Sequence, residues 1–447
     1  MDVHRRTRTI VNRRLLTVLF GIALISHIDR SNVSFAALDM NRQLGISSTV
    51  FGLAAGIFFI GYAACGLPHA HILERFRSHR WLAAMVGLWG LSCMTLAFVP
   101  NPALFILFRF LLGAAEAAFI PAAYTCMARF YSRNDLAGAT AKIAAASAMA
   151  SVVGAPLAAG MLQIDWVGLV GWQWLFVLQG APAVIIAPFV ARLVPYGPEQ
   201  ARWLPDANRR WLLDRNEQDD ATVDLAGRGA SSTVFASVIR MRRVWILGGV
   251  YFSVNLGFWG LIFFLPQIVK SGFSHLSSAQ VALVSGLPYL VALITMIFFG
   301  RTSVMTGDRR WHLFGLLLGS GVALFVALEV GSATARLVAL AAGIALSYSA
   351  IGLYHAVTAS TLAPNVRAMG LSLVNGLGLL GGFVGPYLFG WLRGSTVSNT
   401  TGFYLFSAAF LVGAFVVLVA ARHFPAASRD RDQATALSTP EPEATAL

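Results

Sequence analysis

Twelve uninterrupted apolar runs, each near the length that crosses a bilayer, constrain this 447-residue chain more than any other feature. They fall at about residues 15–38, 50–72, 81–99, 104–128, 138–162, 174–194, 244–268, 279–300, 311–329, 337–362, 368–391 and 403–421. A helix rises about 1.5 Å per residue, so around 20 apolar residues cover the roughly 30 Å hydrocarbon core. Membrane strands would instead alternate apolar and polar residues over ~10-residue segments, so a barrel is excluded. The expected fold class is an all-α membrane protein with twelve transmembrane helices. Composition bears on one alternative: charged residues make up 12% of the chain, about half of the ~25% usual in soluble domains, which excludes a soluble fold.

The formal charge of +13 would suit a nucleic-acid partner only if it formed a basic patch on a folded surface. Here the arginines sit in short loops between spans, where they report orientation. Arg5, Arg6, Arg8, Arg13 and Arg14 precede the first span, and every second loop afterwards is basic: Arg75, Arg77 and Arg80, then Arg129 and Arg133, later Arg301, Arg309 and Arg310. The intervening loops hold only Arg42, Lys270, Arg336 and Arg393. By the positive-inside rule both termini are expected in the cytoplasm. Residues 1–14 read as a retained cytoplasmic tail, since no small-residue cleavage site follows Ser26 and the apolar segment is too long for a signal peptide. Cys65, Cys93 and Cys126 lie inside apolar runs without metal-ligand spacing, so no disulfide, metal or cofactor is expected.

One long polar segment, 195–243, divides six spans (15–194) from six (244–421), and a Pro-, Ser- and Thr-rich tail at 422–447 is expected to be disordered. The halves are related copies. Ser78-His79-Arg80-Trp81 and Asp308-Arg309-Arg310-Trp311 stand 230 positions apart, as do Pro156 and Pro386, and Gly160 and Gly390. Paired six-helix halves of this kind bind substrate near the bilayer midplane, between the halves.

Ionisable groups inside spans are costly and therefore functional candidates. Asp29 and Arg30 adjoin in span one, while Arg109 and Glu116 are seven residues, two turns, apart in span four. Two readings stand: ion pairs that merely join helices, which desolvation makes a weak source of stability, and a site in which the carboxylates titrate while the arginines hold an anion. In the second, the four charges sum to zero when both acids are ionised and to +2 when both are protonated. Anion binding would then be coupled to protons, and arginine suits a carboxylate because its fork binds both oxygens. His27 and His355 are candidate proton relays, or histidines bonded within the bundle. Tyr62, Asn255 and Asn375 could bond substrate or bridge helices, and Trp259, Tyr289 and Tyr354 could line the cavity or pack. Lys142 reads as a snorkelling side chain. The glycines at 376–385 allow close helix approach. No nucleophile and base or metal motif of an enzyme is present.

These residues also carry a resemblance over nearly the whole chain. Ile28-Asp29-Arg30-Ser31-Asn32-Val33, Gly56-Ile57-Phe58-Phe59-Ile60-Gly61-Tyr62 and Arg109-Phe110-Leu111-Leu112-Gly113-Ala114-Ala115-Glu116-Ala117 resemble the anion:cation symporter family of the major facilitator superfamily. So do Gly171-Trp172-Gln173-Trp174-Leu175-Phe176, Leu265-Pro266-Gln267-Ile268-Val269-Lys270-Ser271 and Gly381-Gly382-Phe383-Val384-Gly385-Pro386-Tyr387. The branch most resembled holds bacterial permeases for tartrate, phthalate and related aromatic acids, and sugar acids. The resemblance implies the major facilitator fold and proton-driven import of a small organic anion by alternating access; the bacterial inner membrane and a monomer are the expected setting. It implies protonation at Asp29 and Glu116, and substrate contacts at Arg30, Arg109, Tyr62 and Asn375; Tyr354 and His355, which replace a more apolar pair in span ten, are expected to contact substrate as well.

The loop between spans two and three departs from the superfamily pattern: Glu74 stands for its aspartate, Arg75 is kept, and Arg77 and Ser78 replace a glycine and an arginine. After span eight the usual acidic and basic pair is Val304-Met305. Gating is therefore expected to rest on Glu74, Arg75 and Arg80 in one half and on Asp308, Arg309 and Arg310 in the other. Leu379 replaces a common asparagine. An organic-anion exchanger or uniporter is the alternative within this class, and a membrane sensor of an organic acid is the alternative from another.

Overall fold

The computed structural model describes residues 3–76, 79–225, 231–395 and 401–420, and these are almost wholly helical. Arg77, Ser78 and the tail 422–447 lie outside the described residues. In chain order the helices are α1 (Val3–Val11), α2 (Thr17–Leu44), α3 (Ser48–Phe76), α4 (His79–Thr95), α5 (Pro102–Glu116), α6 (Phe119–Phe130), α7 (Arg133–Met161) and α8 (Gly171–Leu193). They continue as α9 (Asp206–Leu225), α10 (Ser231–Arg240), α11 (Arg242–Gly272), α12 (Ser278–Thr306), α13 (Arg309–Glu329), α14 (Ala333–Thr361), α15 (Pro364–Gly394) and α16 (Thr401–Val419). Among the described residues, twelve helical stretches are long and apolar enough to cross a membrane. Span one is α2, span four is α5 with α6, and spans seven to twelve are α11 to α16.

Local chemistry fixes the ends. Gly45 closes α2 in the left-handed region at φ 63°, which costs a residue without Cβ nothing. Asn101 accepts from the Leu104 N–H at 3.0 Å ahead of Pro102, and Ser277 with Gln280 forms a reciprocal cap on α12. Three details differ from the expectations. A wide π turn at Asn12–Leu16 joins α1 to α2, so the helical stretch that leads into span one begins at Val3, within residues 1–14. The segment 195–243 carries α9 and α10. Its mean polarity hides a packed face, for Leu212 and Leu204 are buried and Trp203 stacks on Phe130 at 5.8 Å. Span four breaks after Glu116. Pro121, in the first turn of α6, would clash with the Ala117 carbonyl if the helix ran through.

The repeat is visible in place: Arg80-Trp81 opens α4 as Arg310-Trp311 opens α13, and Pro156 lies inside α7 as Pro386 does inside α15. Within the amino-terminal half, spans two and four touch backbone to backbone, since a Cβ at Gly113 would fall on the Phe58 carbonyl. The halves meet chiefly at one end. The first half of α3 packs on the second half of α15, with Gly52 against Pro386 and Ser48 against Gly390, and α7 packs on α12 through Ala155 and Gly286. Toward the other end Leu67 and Phe76 of α3 are 73% and 64% exposed. The bundle is thus closed at the end of the Gly45–Ser47 turn.

Candidate functional site

Successive residues on a helix point about 100° apart, and this separates the adjacent charges of span one. Arg30 turns to span four, where its Nε donates to Glu116 Oε1 at 3.2 Å and its Nη2 makes a closer bond to the same oxygen. Ser26, one turn earlier on α2, donates to that oxygen at 2.7 Å. The Glu116 side chain is fully buried and that of Arg30 is 12% exposed. The Arg30 guanidinium carbon lies 5.1 Å from the centre of the Phe58 ring, 5.2 Å from Tyr62 and 5.8 Å from Trp259 of span seven. Such rings attract a cation electrostatically and screen it from water.

Arg109 shows no solvent exposure. Its Nε donates to the Ala54 carbonyl at 3.3 Å, its guanidinium faces Phe58 and Phe263, and both terminal nitrogens are without a hydrogen-bond partner. A buried charge ordinarily has its donors satisfied. Arg109 therefore carries an open fork of the shape that takes a carboxylate. Glu116 Oε2 is likewise buried without a partner.

Asp29 is fully buried and faces span three. It accepts from Trp89 Nε1 at 3.2 Å and from the Cys93 thiol at 3.8 Å, and Asn32 donates to the same sulfur. The four charges thus form two environments: Arg30, Arg109 and Glu116 around Phe58, and Asp29 behind them against α4.

The carboxyl-terminal half supplies an aromatic wall. Tyr251 stacks on Tyr354 at 4.7 Å, and its hydroxyl lies 3.3 Å from His355 Nε2. Tyr354 is buried, with its own hydroxyl spent on the Leu247 carbonyl, whereas His355 and Asn375 are exposed on α14 and α15. Asn255 bonds the Tyr251 carbonyl and Trp259 within α11. Tyr62 is half-buried beside Arg30, Tyr289 is buried against Tyr348, His27 is half-buried and Lys142 is exposed.

Of the loop residues, Arg75 and Arg80 are exposed. Asp308 caps α13 by accepting from the Trp311 N–H, Arg309 opens that helix, and Arg310 lies 5.2 Å over the Trp311 ring. The side chain of Glu74 lies outside the described residues. At the same end Asp135 binds His4 and Arg8 of α1. Desolvation opposes ionisation there, but bonds from Ser132, Arg8 and His4 outweigh it and hold the Asp135 carboxyl below the usual carboxylate range. Among the described residues no group of three His, Cys, Asp or Glu side chains could hold a metal.

The reading by charge missed Ser26, Trp89 and Phe58. Ser26 stands one turn before Arg30, so helical spacing from that charge could have found it; nothing local marks the other two.

Residues 19–363 match the family model described as Major Facilitator Superfamily. The "Putative tartrate transporter" of Agrobacterium vitis is 34% identical over 432 residues, covering 96% of this chain and 94% of the relative. The "Quinolone resistance transporter" of Acinetobacter baumannii is 31% identical over 420 residues, covering 94% and 96%. Among solved structures, a bacterial homologue of the human lysosomal transporter Spinster, in an inward-facing and occupied conformation, superposes with a TM-score of 0.72 at 18% identity, covering 95% of this chain and 98% of that one. With twelve spans in repeated halves and these relatives over most of its length, the chain belongs to the Major Facilitator Superfamily, as a multi-pass membrane transporter of organic substrates and not an enzyme.

Proposed function

We propose that the protein is a proton-coupled symporter that imports a small organic anion across the bacterial inner membrane by alternating access, as a monomer with both termini in the cytoplasm. Its energy source in this reading is the proton gradient, with no cofactor. The observation that carries it is the buried Arg109 fork, whose terminal nitrogens are unpartnered beside a second guanidinium that Glu116 holds. While Glu116 is ionised it competes with any anion for Arg30. Protonation of Glu116 cancels that attraction and frees Arg30 to join Arg109, so proton and anion favour each other's binding. Reciprocity follows from linkage: a proton that raises anion affinity is itself held more tightly by the anion-bound site.

Two guanidinium groups suit a dicarboxylate or aromatic acid such as tartrate or phthalate, or a sugar acid. The tartrate named for the 34% identical relative supports that class. If the basic loops face the cytoplasm, the end closed by α3 on α15 is external; release in this reading is to the inside, where deprotonation of Glu116 would recapture Arg30 and expel the anion. Arg75, Arg80, Asp308, Arg309 and Arg310 then stand at the cytoplasmic mouth, where closure would bring the halves together.

The test is proton entry into proteoliposomes holding a trapped pH dye while tartrate, phthalate, hydroxyphenylacetate, galactonate and glucuronate are added outside in turn. Acidification by at least one acid, absent in Glu116→Gln, is expected. Labelled-anion uptake without acidification would replace symport by exchange or uniport.

A further inference from the structure

Span two contributes a buried histidine that the charge analysis did not single out. His69 lies in α3 one residue after Pro68, and both of its ring nitrogens are engaged. Trp81 of α4 donates its indole N–H to Nδ1 at 3.0 Å, and Nε2 lies 2.8 Å from the Ala114 carbonyl of α5. A carbonyl only accepts, so Nε2 carries the proton and Nδ1 is free to accept from Trp81. The ring bridges spans three, two and four.

The bridged carbonyl lies two residues before Glu116. In an unbroken helix the Ala114 oxygen would accept from the N–H of Ala118. Here that N–H goes to Ala115 at 3.3 Å, and Ala117 donates to Gly113 at 3.1 Å, because the helix stops ahead of Pro121. The break frees the Ala114 oxygen, and His69 satisfies it. Without that donor, the oxygen would be a buried orphan, or the last turn of α5 would rewind to recover the Ala118 N–H. Rewinding would swing Glu116 away from Ser26 and Arg30.

The related half isolates the feature. At the 230-residue offset His69 becomes Phe299, Glu116 becomes Leu346 and Pro121 becomes Ile351. There α14 runs unbroken from Ala333 to Thr361, and Trp311, the counterpart of Trp81, is 47% exposed. The fold therefore requires neither the break nor the histidine tether, and both occur in the half that holds Glu116.

We propose that His69 is a positioning residue for Glu116, holding the broken end of span four so that the carboxylate meets Ser26 and Arg30. This rests on the reading of Glu116 as the proton-carrying group. The test is an infrared difference titration of the full chain in lipid, following the protonated-carboxyl stretching band, with the Glu116 part assigned as the signal missing from Glu116→Gln. His69→Phe is expected to move the midpoint of that band by about one pH unit, the size of change that losing a charged neighbour produces. His69→Gln, which keeps an N–H donor, should hold the midpoint near that of the unaltered chain. A His69→Phe protein with the Glu116 band at an unchanged midpoint, whatever its thermal stability, overturns the positioning role and leaves a mere tether. A shift that His69→Gln does not rescue also overturns it. If no titrating band vanishes in Glu116→Gln, the proton-carrying reading fails and the inference with it, an outcome distinct from an unmoved band.

Discussion

Replacing Glu116 by Gln removes one charge with almost no change of shape, so it isolates the competition on which coupling rests. Glu116 Oε1 receives two bonds from Arg30 and one from Ser26, and a Gln oxygen can still accept from either neighbour. What disappears is the charge that a substrate carboxylate must displace to reach Arg30. Hydrogen bonds to charged groups contribute about 1.5–3 kcal/mol net, so freeing Arg30 should tighten anion binding by roughly 10- to 150-fold at a pH where Glu116 is ionised. Calorimetric titration with tartrate or phthalate across a pH series measures this directly. In the unaltered chain affinity should fall as pH rises and Glu116 ionises, whereas in Glu116→Gln it should be high and nearly flat. Proton-driven accumulation should be lost while some exchange of labelled anion survives. A variant that still accumulates substrate, with the affinity and pH slope of the unaltered protein, would refute the competition between Glu116 and substrate for Arg30.

Three further outcomes follow from the same geometry. Arg109→Ala removes the open fork and is expected to weaken anion binding by about 100-fold, near two charge-assisted bonds; unchanged affinity by calorimetry would reject the carboxylate clamp. Asp29→Asn changes a group bonded to Trp89 and Cys93, apart from Arg30 and Arg109. Its anion affinity should stay within about threefold of the original while proton entry slows, and a loss as large as that of Arg109→Ala would show that the two environments act as one. The Asp135 carboxyl is depressed, so its contribution to holding α1 is present above its ordinary titration range and lost as pH falls through its lower, folded value. At neutral pH, where trypsin acts, cleavage after Arg5 and Arg6 should therefore be slow in the unaltered chain and faster in Asp135→Asn; equal protection of that variant would count against the clasp.

Much of the architecture is legible without coordinates because hydrophobic length and loop charge are local quantities. A run of about 20 apolar residues has one stable form in lipid whatever its neighbours are, and the 230-residue offset of Pro156 with Pro386 marks two copies. The break in span four was locally encoded as well, in Pro121, but within an apolar run its effect is easily read as a mild kink. The helices of 195–243 were hidden for the opposite reason: their average polarity resembles a loop, and only Trp203, Trp211 and Leu212 reveal an anchored face.

The sequence by itself determined that four charges would be buried in the amino-terminal half, since Asp29, Arg30, Arg109 and Glu116 each lie deep within an apolar run. Only the tertiary structure decided how they pair. Arg30 reaches Glu116 and Asp29 reaches Trp89, although the two are neighbours in the chain, and Arg109, on the same helix as Glu116, keeps its terminal nitrogens unpartnered. The physical reason is rotation: a helix turns adjacent side chains about 100° apart. Which partner each then meets depends on how closely the facing backbones approach, as at Gly113 and Phe58, and that approach is a property of packed helices, not of either segment alone.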